Sequence, residues 1–102
     1  MGQFDIYRNA GDSKEQYPYL IVLQSDLIPT QKSQIVAPLS HSNQFEHALR
    51  VYPQVEVNEE EWLIIIPQLA SVPVTALGEQ VANVEYERNS ILSALDRIFT
   101  GL

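Results

Sequence analysis

Residues 83–102, "NVEYERNSILSALDRIFTGL", have the one clear helical pattern in the sequence. The apolar side chains of this stretch recur at the 3.6-residue period of an α-helix and share one stripe. Such a stripe predicts an amphipathic helix that packs one face on a core. The stripe consists of Val84, Ile91, Leu92, Leu95, Ile98 and Phe99.

Both ends of this helix carry recognisable signals. Asn83 is predicted to be the N-cap, and Glu85 and Glu87 suit the positive end of the helix dipole. Gly101 suits the left-handed backbone conformation that commonly ends helices. Because Phe99 lies on the apolar stripe, we expect at least part of its side chain to belong to the core.

The N-terminal part of the chain predicts a β-hairpin. "QFDIYR" at 3–8 alternates apolar and polar residues, which indicates a strand with Phe4 and Ile6 on one buried face. "NAGDSKEQ" at 9–16 is rich in small polar residues and predicts the hairpin loop.

Two further strands are expected before residue 40. "YPYLIVLQ" at 17–24 is rich in aromatic and β-branched residues, and Pro18 near its start suggests an edge strand. "SDLIPTQKS" at 25–33 predicts a loop. "QIVAPL" at 34–39 predicts a short strand that Pro38 closes.

A second hairpin is predicted in the middle of the chain. "QVEV" at 54–57 and "EWLIII" at 61–66 flank the polar "NEEE", with Val55 and Val57 expected to face inward. Residues 40–53 are ambiguous, because a short run at helical spacing interrupts loop-like sequence.

The order of elements predicts a mainly β fold with a C-terminal α-helix. "QLASVPVTALGEQV" at 68–81 adds short strands and turns before the helix. Strands followed by one helix indicate a barrel-like or open antiparallel sheet with the helix packed beside it. The chain of 102 residues is expected to form a single domain over residues 1–102.

Composition restricts the function. The chain has no cysteine, which excludes thiol catalysis, thiolate metal sites and disulfides and fits a cytoplasmic protein. Its net charge is −7 and its six basic residues are scattered, so a protein partner is favoured over direct nucleic-acid binding. No membrane segment is expected, since the longest apolar candidate, "WLIII", suits a buried strand.

Candidate chemistry is sparse. His41 and His47 are six residues apart, which matches no usual metal-ligand spacing. The "NEEE" run predicts a solvated turn, and Trp62 a core residue. We therefore expect no catalytic site, no metal and no cofactor.

Several short motifs, taken in order along nearly the whole chain, resemble the CcdB family, the gyrase-poisoning toxins of bacterial toxin–antitoxin modules. The ordered series is the specific feature, since "QSD" alone would be weak. The motifs are "QF" at 3–4, "VLQSDLI" at 22–28, "APL" at 37–39, "YPQVEV" at 52–57, "EEW" at 60–62, "ASVPVTALGEQV" at 70–81, "RNSILSAL" at 88–95 and "FTGL" at 99–102.

The resemblance implies a fold and a set of partners. The fold is a small SH3-like β-barrel with a second small sheet and the C-terminal helix, assembled as a homodimer. The implied partners are the DNA gyrase A subunit, whose cleaved complex the toxin stabilises, and a cognate CcdA-like antitoxin that neutralises it. DNA would be contacted only indirectly, through the antitoxin, in transcriptional autoregulation.

The resemblance also implies a gyrase-binding surface made of two segments. Thr100 stands where family members carry a tryptophan that stacks on a gyrase arginine, and Asp96 stands where a neutral amide is expected. A CcdB-fold binding protein that has lost gyrase poisoning is therefore one alternative. A MazF-like endoribonuclease is another, and it would require a basic groove and an acid–base pair. The implied surface consists of Ser25, Leu27, Ile28, Asp96, Phe99, Thr100, Gly101 and Leu102.

Overall fold

A computed structural model describes residues 2–28, 32–41 and 52–101 of the chain. His47, Leu102 and most of the ambiguous 40–53 segment lie outside the described residues. The described elements are β1 (Asp5–Asn9), β2 (Tyr19–Val22), β3 (Ser33–His41), β4 (Gln54–Val57), β5 (Glu60–Ile64), β6 (Ala70–Pro73), β7 (Leu77–Asn83) and α1 (Arg88–Thr100), with 3₁₀ turns at Ile66–Gln68, Val74–Ala76 and Glu85–Glu87.

The described strands form one curled antiparallel sheet. An antiparallel sheet was predicted from the order of the elements, in which the strands come before one helix. The strand order is β4-β5-β3-β2-β1-β7, and β6 also pairs with β3. β4, β5 and the last residues of β3 form a small second part of the sheet. The mainly β class, with a small barrel-like sheet and a C-terminal helix, is confirmed.

Strand β3 is longer than predicted and contains Pro38 in its interior. The prediction that Pro38 closes the strand is wrong, because β3 changes partners there. Before this point β3 pairs with β6, up to Val36 opposite Ala70, and after it with β5, from Leu39 onward. The carbonyl of Pro38 accepts a hydrogen bond from Ile65 N at 2.9 Å. The missing N–H of the proline therefore faces the side where the ladder is already interrupted.

The first hairpin is confirmed, but its strands are buried on both faces. Ile6 packs in the main core together with Ile91 of α1, whereas Tyr7 belongs to a second buried cluster. The expected single buried face of β1 is therefore wrong. The expected edge position of β2 is also wrong: β2 lies between β1 and β3, and Pro18 precedes the strand.

The second hairpin is confirmed, with Val55 and Val57 buried in the main core. Asn58 and Glu59 connect its strands with φ of 51° and 68°. Two successive positive φ angles define the turn type whose twist matches an antiparallel pair. Asn is favoured in such turns, while a glutamate in this conformation is strained.

Helix α1 packs Ile91 into the main core, as its apolar stripe predicts, and it also packs Ala94 there, which the predicted stripe did not include. Its start differs from the prediction, because Asn83 is the last residue of β7. The Asn83 side chain still satisfies a backbone donor: its Oδ1 accepts from Glu85 N at 3.0 Å. This bond supports the 3₁₀ turn before α1 rather than the helix itself.

A buried carboxylate ties the N-terminus to the approach of the helix. Asp5 Oδ2 accepts from Gly2 N at 2.8 Å and from the Tyr7 hydroxyl at 3.3 Å. Asp5 Oδ1 accepts from Asn83 Nδ2 at 2.8 Å. Because Asn83 also holds the 3₁₀ turn, the Asp5 network links β1, β7 and the segment that leads into α1.

Tyr7 makes the contribution of this network to the free energy of unfolding depend on pH. Burial raises the pKa of the Tyr7 hydroxyl, and the charge of Asp5 and its hydrogen bond raise that pKa further. The folded state therefore holds the proton more tightly than the unfolded chain. This contribution to stability is complete below the unfolded pKa of about 10 and is lost as pH rises through the folded value.

We expect Tyr7→Phe to lose less stability than the parent protein when urea unfolding is measured from about pH 9 to pH 12. Tyr86→Phe, at an exposed tyrosine, is the control and is expected to follow the parent curve. Parallel curves for the parent and Tyr7→Phe would contradict the assignment.

Candidate functional site

The last turn of α1 presents an aromatic side chain to solvent. Phe99 is 70% exposed, so the expectation that part of it belongs to the core is wrong. Leu92, Leu95 and Ile98 do pack against the core, each half-buried. Ile98 is the last residue of α1 that packs against the core. Because each residue of a helix points in a different direction around the helix axis, the phenyl ring of Phe99 lies off the packed face.

The helix ends as its sequence predicts, with a left-handed glycine. Gly101 has φ of 74°, and its N–H donates to the Arg97 carbonyl at 2.9 Å. A Cβ placed on Gly101 would meet no atom within 4 Å. The Thr100 hydroxyl donates to the Asp96 carbonyl at 2.6 Å, which joins two of the predicted site residues. Asp96 and Thr100 are both exposed.

The loop after β2 presents the second set of apolar side chains. Leu27 is 90% exposed and Ile28 is 60% exposed. Ser25 shapes the turn that carries them: its Oγ accepts from Leu27 N and its carbonyl accepts from Ile28 N, each at 3.1 Å. The predicted residues of this segment are therefore brought together in one hydrogen-bonded turn.

Two polar side chains attach this turn to the sheet. Asp26 Oδ1 accepts from Gln3 N at 2.8 Å, next to β1. Gln24 Nε2 donates to the Ile28 carbonyl at 2.7 Å, and its Oε1 accepts from Ile35 N at 3.2 Å. The amide group of Gln24 thus links the end of the turn to β3. Together with Asp26, it holds the turn that carries Leu27 and Ile28 through hydrogen bonds.

Ile35 is an apolar surface residue that the sequence did not single out. It is 41% exposed and lies beside the same Gln24 amide as Ile28. The sequence alone does not predict the exposure of Ile35, because the alternation of Gln34 and Ile35 fits a strand with either residue on the buried face. In the structure Gln34 is the buried one.

Two of the remaining residues discussed above, His41 and Trp62, lie within the described part of the chain and contact each other. His41 is exposed at the end of β3 and stacks on Trp62, with ring centroids 4.1 Å apart. Trp62 is buried in the core as predicted. Within the described residues, no three His, Asp or Glu side chains are placed to hold a metal ion. In that same part of the chain, no helix has the length and apolar character to cross a bilayer.

The described residues define a small, mainly β fold with a C-terminal helix and exposed apolar side chains at Leu27, Ile28 and Phe99. A comparison with family models assigns it further: the model described as CcdB protein matches residues 3–101. This chain therefore belongs to the CcdB family, a family of toxin–antitoxin toxins directed at DNA gyrase.

We expect Gln24→Ala to release the turn that carries Leu27 and Ile28, at a cost of about 1 kcal/mol in the free energy of unfolding. Amide hydrogen exchange at Ile35 should accelerate, because the Gln24 oxygen is its acceptor. Gln24→Glu is the control, since it keeps an acceptor for Ile35 and loses the donor to Ile28. Unchanged exchange at Ile35 in Gln24→Ala would refute the bridging role.

Proposed function

We propose that this protein is a toxin that binds the DNA gyrase A subunit and stabilises the cleaved gyrase–DNA complex. The binding surface consists of two segments, here called the loop segment and the helix-end segment. The loop segment comprises Ser25, Leu27 and Ile28. The helix-end segment comprises Asp96, Phe99, Thr100, Gly101 and Leu102.

The observation that supports this proposal is the exposure of Leu27, Ile28 and Phe99, which belong to the two segments that the family resemblance implies. Full burial of one such side chain stabilises a complex by about 1.5–3 kcal/mol, so three supply a substantial share of a specific affinity. In the unbound protein these exposed side chains do not stabilise the fold. A surface of this kind is typical of a binding site.

The proposal includes a homodimer. A two-fold toxin presents two copies of the helix-end segment, and a two-fold partner can receive both symmetrically. The exposed last turn of α1 and the open space around Gly101 leave room for such an approach. The toxin would act without bond-making chemistry of its own, by preferring one state of the gyrase cycle.

A cognate antitoxin would neutralise the protein, and its charge is constrained by this chain. At a net charge of −7, the toxin repels an acidic antitoxin segment over a distance of about one Debye length. We therefore expect an antitoxin that is less acidic or that binds chiefly through apolar contacts. A steep loss of affinity of that antitoxin with rising salt would argue against the apolar mode.

We expect Phe99→Ala and Leu27→Ser each to weaken gyrase binding by about tenfold or more, because each removes an apolar side chain that the complex buries. Their unfolding free energies should change by less than about 0.5 kcal/mol, since both side chains are exposed. The measurement is the toxin concentration that gives half-maximal cleaved complex with purified gyrase.

Tyr86→Ala is the matched control for these variants, because Tyr86 is an aromatic residue with 69% exposure outside both segments. It should leave the half-maximal concentration unchanged. Equal loss in Tyr86→Ala and Phe99→Ala would mean that the proposed segments have no special role.

Thr100 supports a second candidate function, a CcdB-fold binding protein that no longer poisons gyrase. Its hydroxyl is bonded to the Asp96 carbonyl, and its side chain offers no ring to stack on a partner. Expression in cells with ordinary gyrase and in cells with a resistant gyrase A subunit separates the two. Arrest of the ordinary cells alone supports poisoning, while growth of both supports the second function.

We expect Thr100→Trp to strengthen gyrase binding by about tenfold or more, since a buried tryptophan is a frequent anchor of interface affinity. Thr100→Val is the control, because it removes the hydroxyl bond to Asp96 without adding a ring. If Thr100→Trp and Thr100→Val shift the half-maximal concentration equally, an aromatic anchor at this position contributes nothing.

A further inference from the structure

An acidic groove of about 740 Å³ lies between the β4–β5 hairpin and α1. Glu56 and Glu61 line it from the hairpin, and Glu87 lines it from the turn before α1. Arg97 lines its other end. Three glutamates against one arginine give these charged lining residues a formal charge of −2. This groove is separate from the loop segment and from Phe99.

The two hairpin glutamates form an unfavourable pair. Glu56 lies directly opposite Glu61 in the antiparallel register of β4 and β5, so both side chains project from the same face of the hairpin. Like charges placed directly opposite each other destabilise a sheet. A cation placed between the two carboxylates would turn this repulsion into attraction.

The helical wall of the groove leaves room for such a cation to be part of a polypeptide. Ser90, Ser93 and Ala94 line this wall, and all three side chains are small. The carboxylates are not clustered as a metal site requires, since no suitable group of three occurs among the described residues. Spaced carboxylates suit the guanidinium or ammonium groups of a peptide, which carry their charge on long side chains.

The negative charge of the groove disfavours anionic partners. A phosphate backbone or an anionic membrane surface would be repelled by a groove of this charge on a chain with a net charge of −7. A second copy of this chain would offer no basic segment, because its six Lys and Arg residues are scattered along the sequence. A segment of another protein that carries Lys or Arg side chains remains as the complementary occupant.

We infer that the groove between the β4–β5 hairpin and α1 binds a basic segment of a partner polypeptide, with an Arg or Lys side chain held between Glu56 and Glu61. Glu87, on the opposite wall, receives a second basic side chain of the same segment. The partner relieves the cross-strand repulsion, so the binding energy includes an interaction that the free protein lacks. This inference does not require that gyrase be the target.

The test uses the purified full-length protein and a fluorescein-labelled peptide of alternating Arg and Ser. Fluorescence anisotropy measures its dissociation constant with the parent protein, with Glu56→Gln/Glu61→Gln and with the control Asp12→Asn/Glu15→Gln. Both double variants remove the same amount of charge, and the control pair lies in the exposed β1–β2 turn. Only the first pair removes carboxylates from the groove.

Glu56→Gln/Glu61→Gln should weaken binding by about fivefold, since two ion pairs are lost, while the control binds as the parent protein does. The same variant should unfold at a higher temperature than the parent, because the like-charge pair is gone. Equal weakening in both double variants would show a response to net charge alone and overturn the inference. Absence of peptide binding to the parent protein would overturn it as well.

Discussion

The fold depends on the change of partner in β3 at Pro38. One strand pairs with β2 along one side and with β6 and then β5 along the other, so it belongs to both parts of the sheet. Without this exchange of partners, β4 and β5 would not be joined to the rest of the sheet, because β3 is the strand through which both pair with it. Residues of β1, β2, β3 and β7 form one buried cluster that includes Tyr7, Val22 and Val36. Helix α1 packs on the other cluster, through Ile91 and Ala94.

The sequence predicted those parts of the structure that local rules determine. The helical period identified α1, and the left-handed preference of glycine located its end at Gly101. Alternation of apolar and polar residues identified the β4–β5 hairpin, with Val55 and Val57 inside. Exposed Leu27 and Ile28 were anticipated by the family resemblance rather than by any periodicity, because two aliphatic residues in a loop have no period to read.

The parts that could not be predicted are set by contacts between distant segments. Pro38 ends a strand in most contexts, and only the exchange of β6 for β5 beside it makes its missing N–H harmless. Tyr7 is buried by residues of β2, β3 and β7, and no property of residues 3–8 reveals those contacts. Phe99 has the spacing of a core residue, but the core that the helix covers ends at Ile98. In each case tertiary structure decides among options that the local sequence leaves open.

The protein departs from local rules at places that also face outward, and both proposed binding surfaces lie at such places. The paired Glu56 and Glu61 oppose hairpin stability, and Leu27, Ile28 and Phe99 oppose the preference of apolar side chains for the interior. The two departures have different physical consequences. Apolar contacts change little with ionic strength, whereas an acidic groove attracts a basic partner most strongly at low salt. The two proposed surfaces would therefore select partners by different chemistry. Competition between those partners would then depend on salt, because only one of the two surfaces responds to it.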